Sequence, residues 1–431
     1  MKKHFALLLS SCLLLLLSAG GASADDYSFD VEAFAPKRLE INYRLDLRPG
    51  FSFLEKDSRQ YRLTLADKGW RRHQNNTTLM AATYGSYKAG DNSTLLFDGL
   101  LTASRFLDQT RDTQVLNEAW LRFDINNDLQ AGIGKKTFKW GKGYAWNPVN
   151  FGGRQKDLND IDLALAGYSM LFTQFTRNLS GHLSNTTLTM ALLPVIKVLN
   201  DDFTENDSLN FISQYYMLLG DTDVDLYLMA GTAGNHKIGA DFSKNLSSNH
   251  EIHAELAYER EQRGWQIKPN GSAMADQQAQ ASFLAGTRYL DHRDITYILE
   301  YLHNGGGLHQ SEMENHYAAA DLALATGNKA AMRQAAQNYT QYINRQFALR
   351  DYLYFKASKP ELFGHLYMNG AFFSVVNLAD KSHSNTVEVS YTGLTNYIFT
   401  LRLTTNLGNH NSEYGQKLSS DRIEMRCQYY F

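Results

Sequence analysis

Residues 421–431 read Asp421-Arg422-Ile423-Glu424-Met425-Arg426-Cys427-Gln428-Tyr429-Tyr430-Phe431. Apolar side chains fall at Ile423, Met425, Cys427, Tyr429 and Phe431, and polar ones stand between most of them. Successive side chains on an extended strand point to opposite faces, so this spacing predicts a strand with one apolar and one wet face. The same period recurs at Leu39, Ile41, Tyr43, Leu45 and Leu47, set among Arg38, Glu40, Asn42, Arg44, Asp46 and Arg48. It recurs again at Ala119, Leu121, Phe123 and Ile125, at Ile252, Ala254, Leu256 and Tyr258, and at Tyr397, Phe399, Leu401 and Leu403. Several such stretches run about 10 to 12 residues, the span of a tilted membrane strand, whereas strands of soluble domains average about 5 to 6. Beyond the N-terminal leader, no apolar run reaches the length of a membrane helix.

The connections sort by parity. About 18 candidate strands can be marked between 38–48 and 421–431. Those at even positions are followed by short links such as Gly220-Asp221-Thr222, Asp291-His292-Arg293 and Leu394-Thr395. Most of those at odd positions lead into longer segments, 49–75, 139–167, 195–208, 261–277, 304–348 and 407–420, and the segment around Ala233 breaks the trend. Short turns on one side and long loops on the other are expected of a membrane barrel, with the turns periplasmic and the loops extracellular. An open strand edge in hydrocarbon has no hydrogen-bond partner, so the sheet has to close. The expected fold is all-β: a closed antiparallel transmembrane β-barrel of about 18 strands, within 16 to 18.

With Ile423, Met425, Cys427, Tyr429 and Phe431 alternating up to a terminal aromatic, the chain resembles Gram-negative outer-membrane β-barrel proteins. The resemblance implies that these five residues form the assembly signal read by the barrel-assembly machinery. It also implies outer-membrane lipid and lipopolysaccharide as the surroundings.

Composition agrees with an exported barrel. Across 431 residues, 42 Lys plus Arg against 45 Asp plus Glu leave a net charge of −3, too balanced for a polybasic nucleic-acid binder. The 25 Tyr and 23 Phe suit aromatic girdles, and the mean hydropathy of −0.40 suits a polar inner face. Lys2 and Lys3, the apolar run Phe5 to Leu17 and the ending Ala22-Ser23-Ala24 predict a signal peptide over 1–24. Leu9-Ser10-Ser11-Cys12 has the form of a lipoprotein box, but the apolar run continues beyond it. A short periplasmic segment 25–37 and a barrel over 38–431 are then expected, with no plug domain ahead of the first strand. The only cysteines are Cys12 and Cys427, so once the leader is removed no intrachain disulfide is expected. Cys427 belongs to the outward stripe, as a small apolar filler.

Enzyme signatures are missing. Neither Gly-Xaa-Ser-Xaa-Gly nor a P-loop occurs, and His250 and His253 fall on opposite faces of a strand. No catalytic residue, cofactor or metal is expected. Inward positions carry both signs with a mild acidic excess, which predicts a weak cation preference.

The most distinctive segment is Thr137-Phe138-Lys139-Trp140-Gly141-Lys142-Gly143-Tyr144-Ala145-Trp146-Asn147-Pro148-Val149-Asn150. A strand running into Trp-Gly and an Asn-Pro loop resembles, over 137–167 only, porin-like families that include alginate-export-type barrels, and this assigns no substrate. Gly141 permits a sharp turn, Pro148 stiffens the exit, and Trp140, Tyr144 and Trp146 anchor the loop to the wall. The loop 139–167 is then expected to fold inward and set Arg154, Lys156, Asp157, Asp160 and Asp162 at a constriction, or else to stand outside as a solvated loop stapled by its aromatics. In 304–348, Glu312 to Ala325 and Lys329 to Tyr342 predict two short helices, which either cap the mouth or enter the lumen. The functional expectation is a passive porin-like channel for small hydrophilic solutes. The alternative is a conduit or binding barrel that works with periplasmic partners in lipid, polysaccharide or metal export.

Overall fold

The computed structural model describes residues 37–65, 71–106, 109–158 and 165–431. The signal peptide, nearly all of 25–37, Asp160 and Asp162 lie outside the described residues. Eighteen strands follow in chain order: β1 (Leu39–Leu54), β2 (His73–Gly90), β3 (Ser93–Phe106), β4 (Gln109–Asp124), β5 (Leu129–Lys136), β6 (Tyr168–Asn178), β7 (Leu183–Val195), β8 (Ser208–Leu219) and β9 (Thr222–Gly231), then β10 (His236–Ser247), β11 (His250–Ile267), β12 (Ala273–Leu290), β13 (Thr296–His303), β14 (Asp351–Lys359), β15 (Met368–Asn377), β16 (His383–Leu394), β17 (Tyr397–Leu407) and β18 (Ser419–Tyr430). Each is antiparallel to its neighbours, and β1 pairs with both β2 and β18. The sheet is therefore a closed barrel, as the alternation and the parity of the loops predict.

Period two is visible in the exposures. Ile423 and Met425 face outward at 36% and 59% exposed, while Glu424 and Gln428 between and beyond them are buried inside. The same outward stripe carries Leu47, Leu101, Leu192, Leu226 and Leu256. At the short-turn end the seam is aromatic. The Phe431 ring stacks on Tyr43 at 5.2 Å, Tyr429 on Phe431 at 5.2 Å and Tyr397 against Tyr429 at 4.7 Å. Phe431 also exchanges both backbone hydrogen bonds with Tyr43. Inside the seam, buried Asp46 on β1 accepts from Arg48 Nη2 at 2.7 Å and from Arg426 Nε on β18 at 2.9 Å.

Two expected loops are partly strand. β1 continues past Pro49 to Leu54, and its ladder to β18 is interrupted at Arg48 and Pro49, where proline has no N–H to give. The stretch 261–277 is mostly a hairpin, since β11 runs to Ile267, β12 starts at Ala273 and Trp265 still pairs with Ala275. Both strands are longer than a bilayer requires, so this hairpin rises beyond the hydrocarbon, where polar side chains are tolerated on both faces.

α-Helices occur only at the long-loop end among the described residues: α1 (Arg59–Thr64), α2 (Gln310–Thr326) and α3 (Lys329–Asn338), the last continued by one π turn over Tyr339–Ile343. Gly327, in the left-handed conformation at φ 63°, ends α2. Buried Arg59 ties three loops together. Its Nε donates to Asp321 Oδ1 at 2.8 Å, Nη1 to the His410 carbonyl at 2.6 Å and Nη2 to Asn411 Oδ1 at 2.8 Å. The guanidinium also lies over the Tyr317 ring at 4.7 Å.

Asp46 gives the first prediction. With Asp46→Ala, Arg48 and Arg426 lose their common carboxylate in a mostly buried setting, and barrel stability should fall by about 3–5 kcal/mol. Urea titration of the folded barrel in lipid vesicles measures this. An unchanged midpoint would mean that backbone pairing alone holds the seam.

Candidate functional site

The inner wall from β9 to β13 is acidic in a way that strand pairing makes costly. Asp241 on β10 stands directly opposite Asp225 on β9 and Glu255 on β11. All three are buried, as is Glu300 on β13. Like charges facing each other across strands repel, so a compensating partner is needed.

The segment 137–158 supplies it. Backbone N–H groups of Lys142 and Gly143 both donate to Glu255 Oε1 at 2.7 Å, Asn147 Nδ2 joins them at 2.8 Å, and Val149 N reaches Oε2 at 3.4 Å. Tyr144 N donates to Glu300 Oε1 at 2.5 Å and Ala145 N to Oε2 at 2.9 Å. His253 Nε2 lies 2.9 Å from the same Oε1. Lys142 Nζ meets Asp225 Oδ2 at 2.7 Å, and the Tyr144 hydroxyl donates to Glu251 at 2.9 Å. A loop that leaves β5 thus lies against the inner face of strands on the far side of the chain order.

Local sequence allows this approach. Gly141 sits at φ +98°, and a Cβ there would lie 2.6 Å from Glu255 Oε1. At Gly143 a Cβ would fall 2.0 Å from the Trp146 carbonyl. Burial opposes the charge on Lys142, but the hydrogen bond and charge of Asp225 outweigh it and raise its pKa. Burial, followed by the bond to Glu251, pushes the Tyr144 phenol up to about 12.

The aromatic anchors divide between two buried clusters. Trp140 stacks on Phe138 at 4.9 Å and packs with Val149, Phe151, Met170, Phe172, Ile212 and Met229. Trp146 lies with Leu284, Leu302, Tyr352 and Tyr354, and its ring is 5.5 Å from Phe347 of the helical loop. Pro148 is half-buried beside them.

The charged candidates are not gathered at one point. Arg154 turns to the loop after β7, where it pairs with Asp202 and lies over Tyr168 at 4.6 Å. Lys156 Nζ donates to the Gly143 carbonyl at 2.7 Å, and burial lowers its pKa. Asp157 accepts from Gln346 at 3.2 Å and borders a different space.

That space is a cavity of about 720 Å³ between the inward loop and the β15–β1 wall. Arg48, Arg345, Arg402, Lys417 and Arg422 line it, with Asp157 and Glu424 as its carboxylates. Arg402 Nε donates to Glu388 at 2.9 Å, and Arg422 bonds Glu424. Sequence reading missed this basic side because it counted inward charges around the whole barrel. It also missed Glu255 and Glu300 as seats for the loop. The available signal was apolar residues at inward positions, Met170, Phe172, Leu193 and Ile212, all buried although they face the lumen.

The seats are testable. Glu255→Ala together with Glu300→Ala removes six hydrogen bonds from the inward loop to carboxylate, each contributing about 1.5–3 kcal/mol. The folded barrel should then become cleavable by trypsin after Arg154 or Lys156. Continued resistance would show that the aromatic packing holds the loop by itself.

No family model and no curated protein matches the chain. Solved structures are similar to it along most of their length. The Escherichia coli outer-membrane protein Wzi, described as a carbohydrate-binding β-barrel involved in group 1 capsule assembly, aligns over 90% of this chain and 84% of its own, with TM-score 0.51 and 9% identity. Pseudomonas aeruginosa OccK5 (OpdH) aligns over 91% and 98%, with TM-score 0.49 and 11% identity. Pseudomonas aeruginosa opdK aligns over 91% and 99%, with TM-score 0.49 and 9% identity. At 9% identity the likeness to Wzi is one of fold.

Proposed function

We propose that this chain is a passive porin-like channel of the Gram-negative outer membrane that carries small hydrophilic solutes and prefers anions. The cavity of about 720 Å³ inside the barrel carries the reading, because five cationic side chains and only two carboxylates line it. Selectivity follows the charges a permeant ion meets. The acidic strands that would favour cations have Glu255, Glu300 and Asp225 bonded to the inward loop. The expected cation preference is thereby replaced by its opposite. The inward loop narrows the lumen in this reading and leaves passage along the β15–β1 side. The channel needs no cofactor and performs no chemistry. Export of lipid, polysaccharide or metal with a periplasmic partner has no comparable observation in its favour.

Planar-bilayer recording tests it. The refolded barrel should open in steps, and its reversal potential in a salt gradient should have the sign of an anion-preferring pore. A charge about 7 Å from the ion path in a water-like medium contributes about 0.6 kcal/mol, of opposite sign for anion and cation. Salt screening and the pairing with Glu388 and Glu424 reduce it, so Arg402→Gln with Arg422→Gln should lower the anion-to-cation permeability ratio about two- to sevenfold. A silent but folded barrel would reject the channel, and a cation-preferring one would reject the role of the basic wall.

A further inference from the structure

The loop 408–418 after β17 stands at the long-loop mouth of the large cavity and lines it with Tyr414, Lys417 and Leu418. One acidic side chain seats it. Glu413 is 3% exposed, and its Oε2 accepts from the Tyr352 hydroxyl at 2.6 Å and from Asn377 Nδ2 at 2.7 Å. Both donors stand at the outer ends of their strands, β14 and β15. Oε1 is buried without a hydrogen-bond partner among the described residues. Glu255 in the lumen wall receives four donors, three of them backbone. Glu413 has two neutral donors, and around it Tyr317, Tyr339, Tyr352 and Tyr414 belong to one buried cluster. A half-satisfied carboxylate in such surroundings is costly when it is charged.

Its other neighbours do not cancel that cost. The loop itself brings Lys417, the β15–β16 turn brings Asp380, α2 brings Tyr317 and the π turn brings Tyr339. Asp380 Oδ2 accepts the Glu413 N–H at 2.6 Å, and Ser382 Oγ accepts the Tyr414 N–H at 3.1 Å. From α1, Arg59 N donates to Gln416 Oε1 at 2.7 Å while its guanidinium is engaged by Asp321. Burial pushes the Glu413 carboxyl up, Lys417 and the two hydrogen bonds pull it down, and Asp380 adds to the rise. Burial also raises the phenols of Tyr317, Tyr339 and Tyr414. His316 on α2 is held down at about 4 by burial and by Arg59. Between that histidine and the phenols, Glu413 is the buried group of the cluster that changes charge.

We propose that Glu413 makes the loop 408–418 a proton-operated latch at the outer mouth, docked while the carboxyl keeps its proton and released once it is ionised. The sign follows from burial. A carboxyl raised in the docked loop favours docking below its released-state pKa, and that advantage is lost as pH rises through the docked one. Each unit between the two is about a tenfold change in the docking equilibrium. Release carries Tyr414 and Lys417 away from the cavity, so the mouth widens as it loses a cation. The effect on passage rests on the channel reading; the latch itself does not.

Hydrogen–deuterium exchange of the full barrel in detergent micelles, corrected for the intrinsic pH dependence of amide exchange, reads the latch without any need for conduction. Between about pH 6 and about pH 9, protection of the Glu413 and Tyr414 amides should fall at least about tenfold. Glu413→Gln keeps the shape and both donors without the charge, so its protection should stay high at both pH values. His410→Gln, which alters the histidine of the same loop, should behave as the wild type. Lys417→Met removes the cation that favours ionisation and should move the release to higher pH, which keeps the test open if Glu413→Gln misfolds. Constant protection in the wild type, or a pH dependence that survives in Glu413→Gln, would overturn the latch. Conductance of the same preparation is read separately. A barrel that conducts with constant protection removes only the latch, and one that releases the loop without ever conducting removes only the channel.

Discussion

The structure depends on one constraint: in hydrocarbon, no backbone N–H or C=O can be left for water to satisfy. A sheet obeys it only by having no edge, so the first strand must pair with the last. Here that pairing runs from Arg44 with Tyr430 to Leu54 with Ser419, and the terminal residue exchanges both backbone bonds with Tyr43. Closure then fixes which face of every other strand is inside, because a one-residue slip would exchange the two faces. Asp46 shares in this, as its carboxylate joins Arg48 of its own strand to Arg426 of β18 across the seam.

Closure also creates a second problem that the inward loop solves. Once the faces are fixed, Asp225, Asp241 and Glu255 stand in a row across three neighbouring strands. Backbone amides are an economical answer, since a tight turn rich in glycine presents several N–H groups at once without bringing further side chains into the lumen. Lys142 adds one full positive charge where Asp225 is buried, and Tyr227 and Gln214 donate to the aspartates at 2.7 Å and 2.8 Å. The loop and the acidic wall are therefore mutually dependent. Without the loop the carboxylates oppose one another, and without the carboxylates the turn loses its partners.

The strands were readable because a barrel wall repeats one local rule, apolar out and polar in, with every repeat written in consecutive residues. Where the rule lapses, so does the reading. Beyond Arg260 the hairpin of β11 and β12 leaves the lipid, its polar residues no longer alternate, and the sequence predicts a loop where the structure has paired strand. The helices around Gly327 are readable from composition, and the structure adds the left-handed stop. The destination of 137–158 was not, because Lys142 and Glu255 lie 113 residues apart and their contact has no local period. A trace was present all the same. Met170, Phe172, Leu193 and Ile212 break the alternation toward the apolar on the inner side, and an apolar inner wall requires something to cover it.

That trace also bears on charge. A count of inward acids and bases treats the lumen as a ring that a solute samples evenly, and on that count acids lead slightly. The inward loop makes the ring unequal. It buries the apolar patch of β6–β9, bonds the carboxylates of β9–β13, and leaves the arginines of β1, β17 and β18 facing the remaining space. Several of these arginines are themselves paired, Arg402 with Glu388 and Arg48 with Asp46. Pairing lowers the local field without removing it, since Arg345 and Lys417 add charge on the same side. The potential a solute meets is set by which charges stay exposed after the loop is seated, and total composition does not report that.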